Sequence, residues 1–287
     1  HAVVRQQEVR DLHAHVGPEH RDLPGIDIRY APEVEVRQWR EQVAGGPDVL
    51  HKEYVTPDGT LKTEVLETED WPYPGHVPLM DDYLIPRGRS FPIATRDDLA
   101  ALQHLLVAPH PEDVARFHEQ ARAAKALAEE LALPVSGGMG VGLEAGAWLC
   151  GQKELIFLAH DAPDLVEELE VMLHNWNLQR MRAVLEVGVD LFIRRAWYEG
   201  TDFWTPTQWR RFILPCVRRE AEIAHAAGTS TGTSPPAAPW ASSTCSSTRA
   251  WTWSSAWTRL RASAPTWRRC ARRSAIAWRC GAGSTAS

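Results

Sequence analysis

Between Leu185 and Pro215 the chain changes character three times, and the order of those changes leaves few folds open. Gly188 stops a preceding helix. Val189 to Ile193 is a short apolar run, the pattern of a strand covered on both faces. Arg194, Arg195, Trp197, Tyr198, Glu199 and Asp202 then crowd into nine positions. Thr205-Pro206-Thr207-Gln208 opens a new helix: Thr205 caps, Pro206 fits the first helical position, and Gln208 completes a capping box. Helix, buried strand, polar loop and helix in that order predict an α/β protein with a parallel sheet. In a barrel of such units, active sites form at the C-terminal ends of the strands and in the loops that follow. Two arginines, two acids and several aromatics in one such loop exceed what a plain connection needs, and they fit a small anionic organic molecule.

Upstream the pattern is uneven. Residues 1–48 are polar and Pro-rich. His13, His15 and His20 lie there with no cysteine and no second acidic set to complete a metal site, so they read as surface histidines. Val49 to Leu66 predicts a β-hairpin turning at Thr56-Pro57-Asp58-Gly59, with Leu61, Thr63 and Val65 on the buried face. Asp81-Asp82-Tyr83 follows in a Pro- and Tyr-rich loop, where either acid could transfer protons or cap a turn. Thr95 to Leu99 opens a short helix. Pro111 to Leu131 is amphipathic through Val114, Phe117, Ala121, Ala124, Leu127 and Leu131. Leu133-Pro134-Val135 enters a glycine run containing Gly137, Gly138 and Gly140, which either brings free amides to an anion or packs strands tightly. Glu144 to His160 reads as one or two short helices. The longest helix, capped at Asp161-Ala162-Pro163, runs to Val187 on a stripe of Leu165, Leu169, Met172, Leu173, Trp176, Met181 and Leu185. The helix from Pro206 is expected to break near Pro215, resume to Ala227 and end at Gly228.

A further strand is due after Gly228, and the sequence does not offer one. The last 59 residues hold eight arginines and six of the 13 tryptophans, with no Asp, Glu or Lys, while residues 1–228 carry all 37 acids. Such a composition builds neither a core nor an ordinary linker. Because Trp has a single codon, the tail can be read from the third base of each codon. Arg249 to Thr258 then becomes Gly-Val-Asp-Val-Val-Ile-Gly-Val-Asp-Pro, a buried strand ending in an acid. Residues 229–287 therefore read as an out-of-frame, disordered tail, and 1–228 as the folded part. A net charge of -6 gives no reason to expect nucleic acid. No apolar run reaches the roughly 18 residues of a membrane span. Five cysteines without paired spacing fit the cytoplasm. The start at His1 suggests a trimmed N-terminus.

Four stretches carry a resemblance. They are Gly137–Gly151 ending Ala147-Trp148-Leu149-Cys150-Gly151; Asp161-Ala162-Pro163 with Asn175-Trp176-Asn177; Glu186-Val187-Gly188-Val189-Asp190; and Thr205-Pro206 with Phe212-Ile213-Leu214-Pro215. Over roughly residues 45–228 the chain resembles the uroporphyrinogen decarboxylase superfamily. The resemblance implies a (β/α)8 TIM-type barrel, incomplete here where the C-terminal strands are lost, and a homodimer once the full frame is restored. Its decarboxylase branch binds a carboxylated tetrapyrrole through arginines and needs no cofactor and no metal. Its corrinoid-dependent methyltransferase branch holds zinc through His and Cys. The sequence lacks the first branch's Arg-Gln-Ala-Gly-Arg signature, and Met80-Asp81-Asp82-Tyr83-Leu84 matches its Phe-Ser-Asp-Ile-Leu run loosely. The second branch's His-x-Cys after the 205–228 helix is absent.

The first expectation is thus a cofactor-independent decarboxylase-like enzyme. Arg194 and Arg195 would hold carboxylates. One of Asp81, Asp82, Glu199 or Asp202 would move protons, Trp197, Tyr198 and Trp204 would line the pocket, and Gly137, Gly138 and Gly140 would face the substrate. Corrinoid-linked methyl transfer is the rival. A third reading is a non-functional frameshifted product, because losing about three of the eight strands leaves a barrel open.

Overall fold

The computed structural model describes residues 21–200, 202–234 and 251–252. His13, His15, His20, Thr201 and most of the proposed out-of-frame tail lie outside the described residues. Two sheets organise the rest. Strands β1 (Arg21–Asp22), β6 (Val135–Gly140), β7 (Leu191–Arg195), β8 (Ser230–Ser234) and β9 (Trp251–Thr252) form one sheet in that order, with every pair parallel. Strands β2 (Glu35–Glu41), β3 (Asp48–Thr56), β4 (Gly59–Glu67) and β5 (Gly88–Ser90) form an antiparallel sheet, also in that order. The result is a mixed α/β architecture with the expected strand–helix rhythm. Among the described residues the parallel sheet stays open and does not close into a barrel.

The hairpin forms where the turn chemistry predicts it, with Thr56 opposite Gly59. Its alternation buries Leu61, Thr63 and Val65. Two short helices, α1 (Leu84–Arg87) and α2 (Asp98–Leu102), follow. At the second, Asp98 accepts the amides of Ala94 and Thr95 at 2.9 and 2.7 Å, so the acid, not Thr95, organises the start. Helix α3 (Pro111–Glu130) buries Phe117, Ala121, Ala124 and Leu127 along its stripe. Two helices then run back to back, α4 (Leu143–Cys150) and α5 (Gln152–Asp161), divided at Gly151. Helix α6 (Pro163–Glu186) buries Leu165, Leu169, Leu173, Trp176 and Met181, with Met172 and Leu185 half-buried. Asp161 does not cap it. Ala162 occupies that position without a side-chain bond, and Asp161 ends α5 instead.

After β7, Thr205 makes both bonds of the capping box and starts α7 (Pro206–Gln208). The expected break at Pro215 takes a specific form: Trp209–Ile213 widens into a π turn before α8 (Leu214–Ala226). Pro215 has no N–H to give the helical ladder, and a π turn absorbs that gap.

The missing strand after Gly228 is a correction. Ser230–Ser234 does form β8, paired with β7 from Leu191↔Ser230 to Arg195↔Ser234. Parallel pairing needs extended backbone, and small or β-branched hydroxyl residues supply it without an apolar run. Thr229 is buried and donates to the Val189 carbonyl at 2.9 Å, so a side-chain hydrogen bond replaces aliphatic packing. No helix among the described residues is long and apolar enough to cross a membrane.

Candidate active site

Adjacent residues of a strand point to opposite faces, so Arg194 and Arg195 at the end of β7 enter different surroundings. Arg194 is buried. Its Nε and Nη2 meet both carboxylate oxygens of Glu199 at 3.1 and 2.7 Å, and Nη1 meets Glu220 Oε1 at 2.7 Å. Glu170, also buried, lies 3.7 Å from Nη2. Asn177 donates to Glu220 at 3.1 Å, and His174 sits 3.2 Å from the same carboxylate. Burial alone would raise Glu220, yet Arg194 and His174 overcome it and hold the carboxyl below its usual range. Glu170 goes the other way: burial, helped by Glu199 and Glu220, outweighs Arg194 and raises its carboxyl well above the usual range. Gly142 makes this packing possible, since a Cβ there would stand 1.6 Å from Arg194 Nη2.

Arg195 faces the other way and gathers a second group. Its Nε lies 2.7 Å from Oε1 of Glu144, which is wholly buried in the first turn of α4. The two atoms are close but not aligned as a hydrogen bond, and neither has another partner. Nη2 of Arg195 donates to Asp82, which also accepts the indole N–H of Trp148 at 3.0 Å. The guanidinium stacks over the Trp148 ring at 5.2 Å. The amide of Trp197 donates to the other oxygen of Glu144 at 2.8 Å. Burial dominates the Glu144 carboxyl and pushes it up to about 7, against the lowering pull of Arg195 and the Trp197 amide. Tyr198 is likewise raised, first by burial and then by Asp82 and Glu144. The Trp197 side chain and the Asp82 rim remain open to solvent.

The structure therefore brings Asp82, Arg195, Trp197 and Tyr198 together and sorts the other expected residues elsewhere. Arg194 and Glu199 saturate each other beneath the loop. Asp81 accepts the Tyr73 hydroxyl at 2.6 Å and the Tyr83 amide at 2.9 Å, the turn-capping role. Asp202 is exposed. Trp204 is buried in the core and donates to the Tyr198 carbonyl at 2.6 Å, so it supports the loop from below. Gly137 presses against Val184 and Val189. Gly138 takes a positive φ of 103° beside the Phe192 ring, and Gly140 pairs with Arg194 after a register shift. These are packing roles. Glu144 is the residue that sequence reasoning missed. Its one signal was an acid just after a glycine run at a strand's end, and nothing in the sequence marks it as buried.

A cavity of about 950 Å³ along α5 is lined by Arg89, Phe91, Lys153 and Phe157 among others, and none of the Arg195 group borders it. Among the described residues no three His, Cys, Asp or Glu side chains converge to hold a metal ion.

No family model matches the chain, and no curated protein matches it. Among solved structures, a methyltransferase from Methanosarcina mazei aligns with a TM-score of 0.37 and 16% identity, covering 77% of this chain. The chain spans 52% of that methyltransferase's length. A dipeptide epimerase from Methylococcus capsulatus complexed with Mg ion aligns with a TM-score of 0.15 and 13% identity, over 71% of this chain and 82% of its own. At those TM-scores neither likeness carries an argument about fold or reaction.

Proposed function

We propose that the protein is an enzyme that holds a small anionic organic molecule at the ends of β6 and β7 and exchanges a proton with it. The observation that carries this reading is the Glu144–Arg195 pair: a buried carboxyl raised to about 7, beside a guanidinium whose Nε has no aligned partner. An acid–base group works best when its pKa lies near the operating pH. A guanidinium recognises carboxylates through its fixed fork of donors. Asp82 orients Arg195, and Trp148 supports it from one face. Trp197 and Tyr198 supply aromatic surface.

Decarboxylation of a carboxylated, tetrapyrrole-like substrate is the finer form of this proposal. In that reaction the C–CO2 bond breaks, the electron pair stays on carbon, and the neutral form of Glu144 supplies the proton. Corrinoid-dependent methyl transfer is the rival. A zinc thiolate of that branch does not fit the described residues. Cys150 is buried with its thiol pushed up to about 12, and burial raises Cys216 also. Metal and cobalamin analysis of the purified protein separates the two readings: stoichiometric zinc with bound corrinoid overturns the decarboxylase form.

Arg195→Ala tests the site itself. The variant is expected to raise KM at least roughly tenfold for a carboxylate substrate, the loss of one charge-assisted contact. It should also move the alkaline limb of the pH profile upward, because the proton donor is the neutral Glu144 and Arg195 is the strongest influence lowering it. Unchanged KM and an unchanged profile remove Arg195 from the site.

A further inference from the structure

Strand β2 is the outer strand of the antiparallel sheet, and all seven of its residues are exposed. Among the described residues no strand lies beyond it. An edge of that length offers every second N–H and C=O to another chain unless charge, proline or a bulge blunts it. This edge has no proline and no bulge in its pairing with β3. It also carries apolar surface: Val36 and Trp39 on the strand, and Val43 just after it, are exposed at 43%, 47% and 39%. Trp39 lies flat on His51 at 4.9 Å with the rings 2° from parallel, which fixes it on the outer face.

The order of side chains favours one partner. Strand residues directly opposite each other share a face, so a symmetric antiparallel pairing must centre on one residue. Centring on Arg37 or on Arg40 sets that arginine against itself. Centring on Gln38 opposes Glu35 to Glu41. Centring on Trp39 opposes Arg37 of each copy to Glu41 of the other, twice, with the two indoles meeting on the axis. Centring on Val36 also opposes Glu35 to Arg37 but overlaps only Glu35–Arg37, whereas the Trp39 register overlaps Arg37–Glu41 and is the longer pairing that joins unlike charges without opposing like ones. Arg37 now bonds Glu35 at 2.9 and 3.0 Å, and Glu41 bonds His51 at 2.9 Å, all on the exposed outer face, so both can turn to a new partner at little cost.

We infer that β2 pairs antiparallel with β2 of a second copy about a two-fold axis through Trp39, joining the two four-stranded sheets into one of eight strands.

Sedimentation velocity of the full chain over a concentration series tests this. The wild type is expected to form a dimer. Arg37→Glu or Glu41→Arg alone places like charges opposite each other twice and should weaken association by roughly tenfold or more. The double variant Arg37→Glu with Glu41→Arg should restore it, because the pairs re-form with reversed signs. Circular dichroism checks that each variant is folded. Trp39→Cys gives an independent readout: opposed residues in an antiparallel pair lie within disulfide reach, so mild oxidation should link two copies through residue 39 beyond the wild-type background. A monomeric wild type, a dimer indifferent to both single changes, a double variant that stays dissociated, or no link through residue 39 would each overturn the proposal.

Discussion

Arg194→Ala is expected to cost about 3–5 kcal/mol of folding stability, the range for breaking a buried ion pair from one side. Such a loss is a large share of the roughly 5–15 kcal/mol that holds a domain together. The change strands Glu199 and Glu220, both buried, with His174 and Asn177 as the remaining help for Glu220 and none for Glu199 from the guanidinium it now grips. Urea unfolding followed by circular dichroism checks it. Replacing the group together, Arg194→Met with Glu199→Leu and Glu220→Leu, should recover most of the loss, since apolar packing of similar volume removes the stranded charges. If Arg194→Ala unfolds at the wild-type midpoint, the network is not what ties β7 to α8.

The network also explains why half of the apparent site was never available to a substrate. A sequence shows two adjacent arginines at a strand's end and cannot tell them apart. The pleat does, sending Arg194 under the loop and Arg195 to the rim. Local chemistry was legible wherever it was self-contained. The Thr56–Gly59 turn, the Thr205 capping box and the stripe of α6 each depend on neighbours within a few residues. What escaped depends on distant partners or carries no apolar signature. Glu144 owes its raised pKa to burial, which depends on partners distant in the chain such as Arg195 and Asp82. β8 is built of serine, threonine and glycine, with no aliphatic side chain to announce a strand. β2 is wet on both faces, so its alternation leaves no hydrophobic period to detect. The glycine run allowed both an anion cradle and tight packing, and Gly142 under Arg194 belongs to the second.

Glu144→Gln is the second large expected effect. Loss of a positioned proton donor or acceptor lowers turnover by about 10²–10⁴-fold, here with binding through Arg195 retained. Stability should respond oppositely. Between the ordinary carboxyl value of 4.5 and about 7, the native carboxyl keeps a proton that the unfolded chain has released. That contribution is complete below 4.5 and is lost as pH rises through about 7, so Glu144 makes the fold weaker toward alkaline pH. The glutamine variant cannot ionise. Its stability should therefore fall less than that of the wild type from pH 6 to pH 8, as thermal unfolding at several pH values would record.

The most direct measurement is a pH titration by carbon-13 NMR of protein labelled at the glutamate carboxyl carbons, with Glu144→Gln giving the assignment. The Glu144 resonance is expected to titrate near 7 and to shift its midpoint when a small carboxylate ligand is added. A Glu144 resonance that titrates between about 4 and 5 with the exposed glutamates, and ignores the ligand, would contradict an acid–base site beside Arg195.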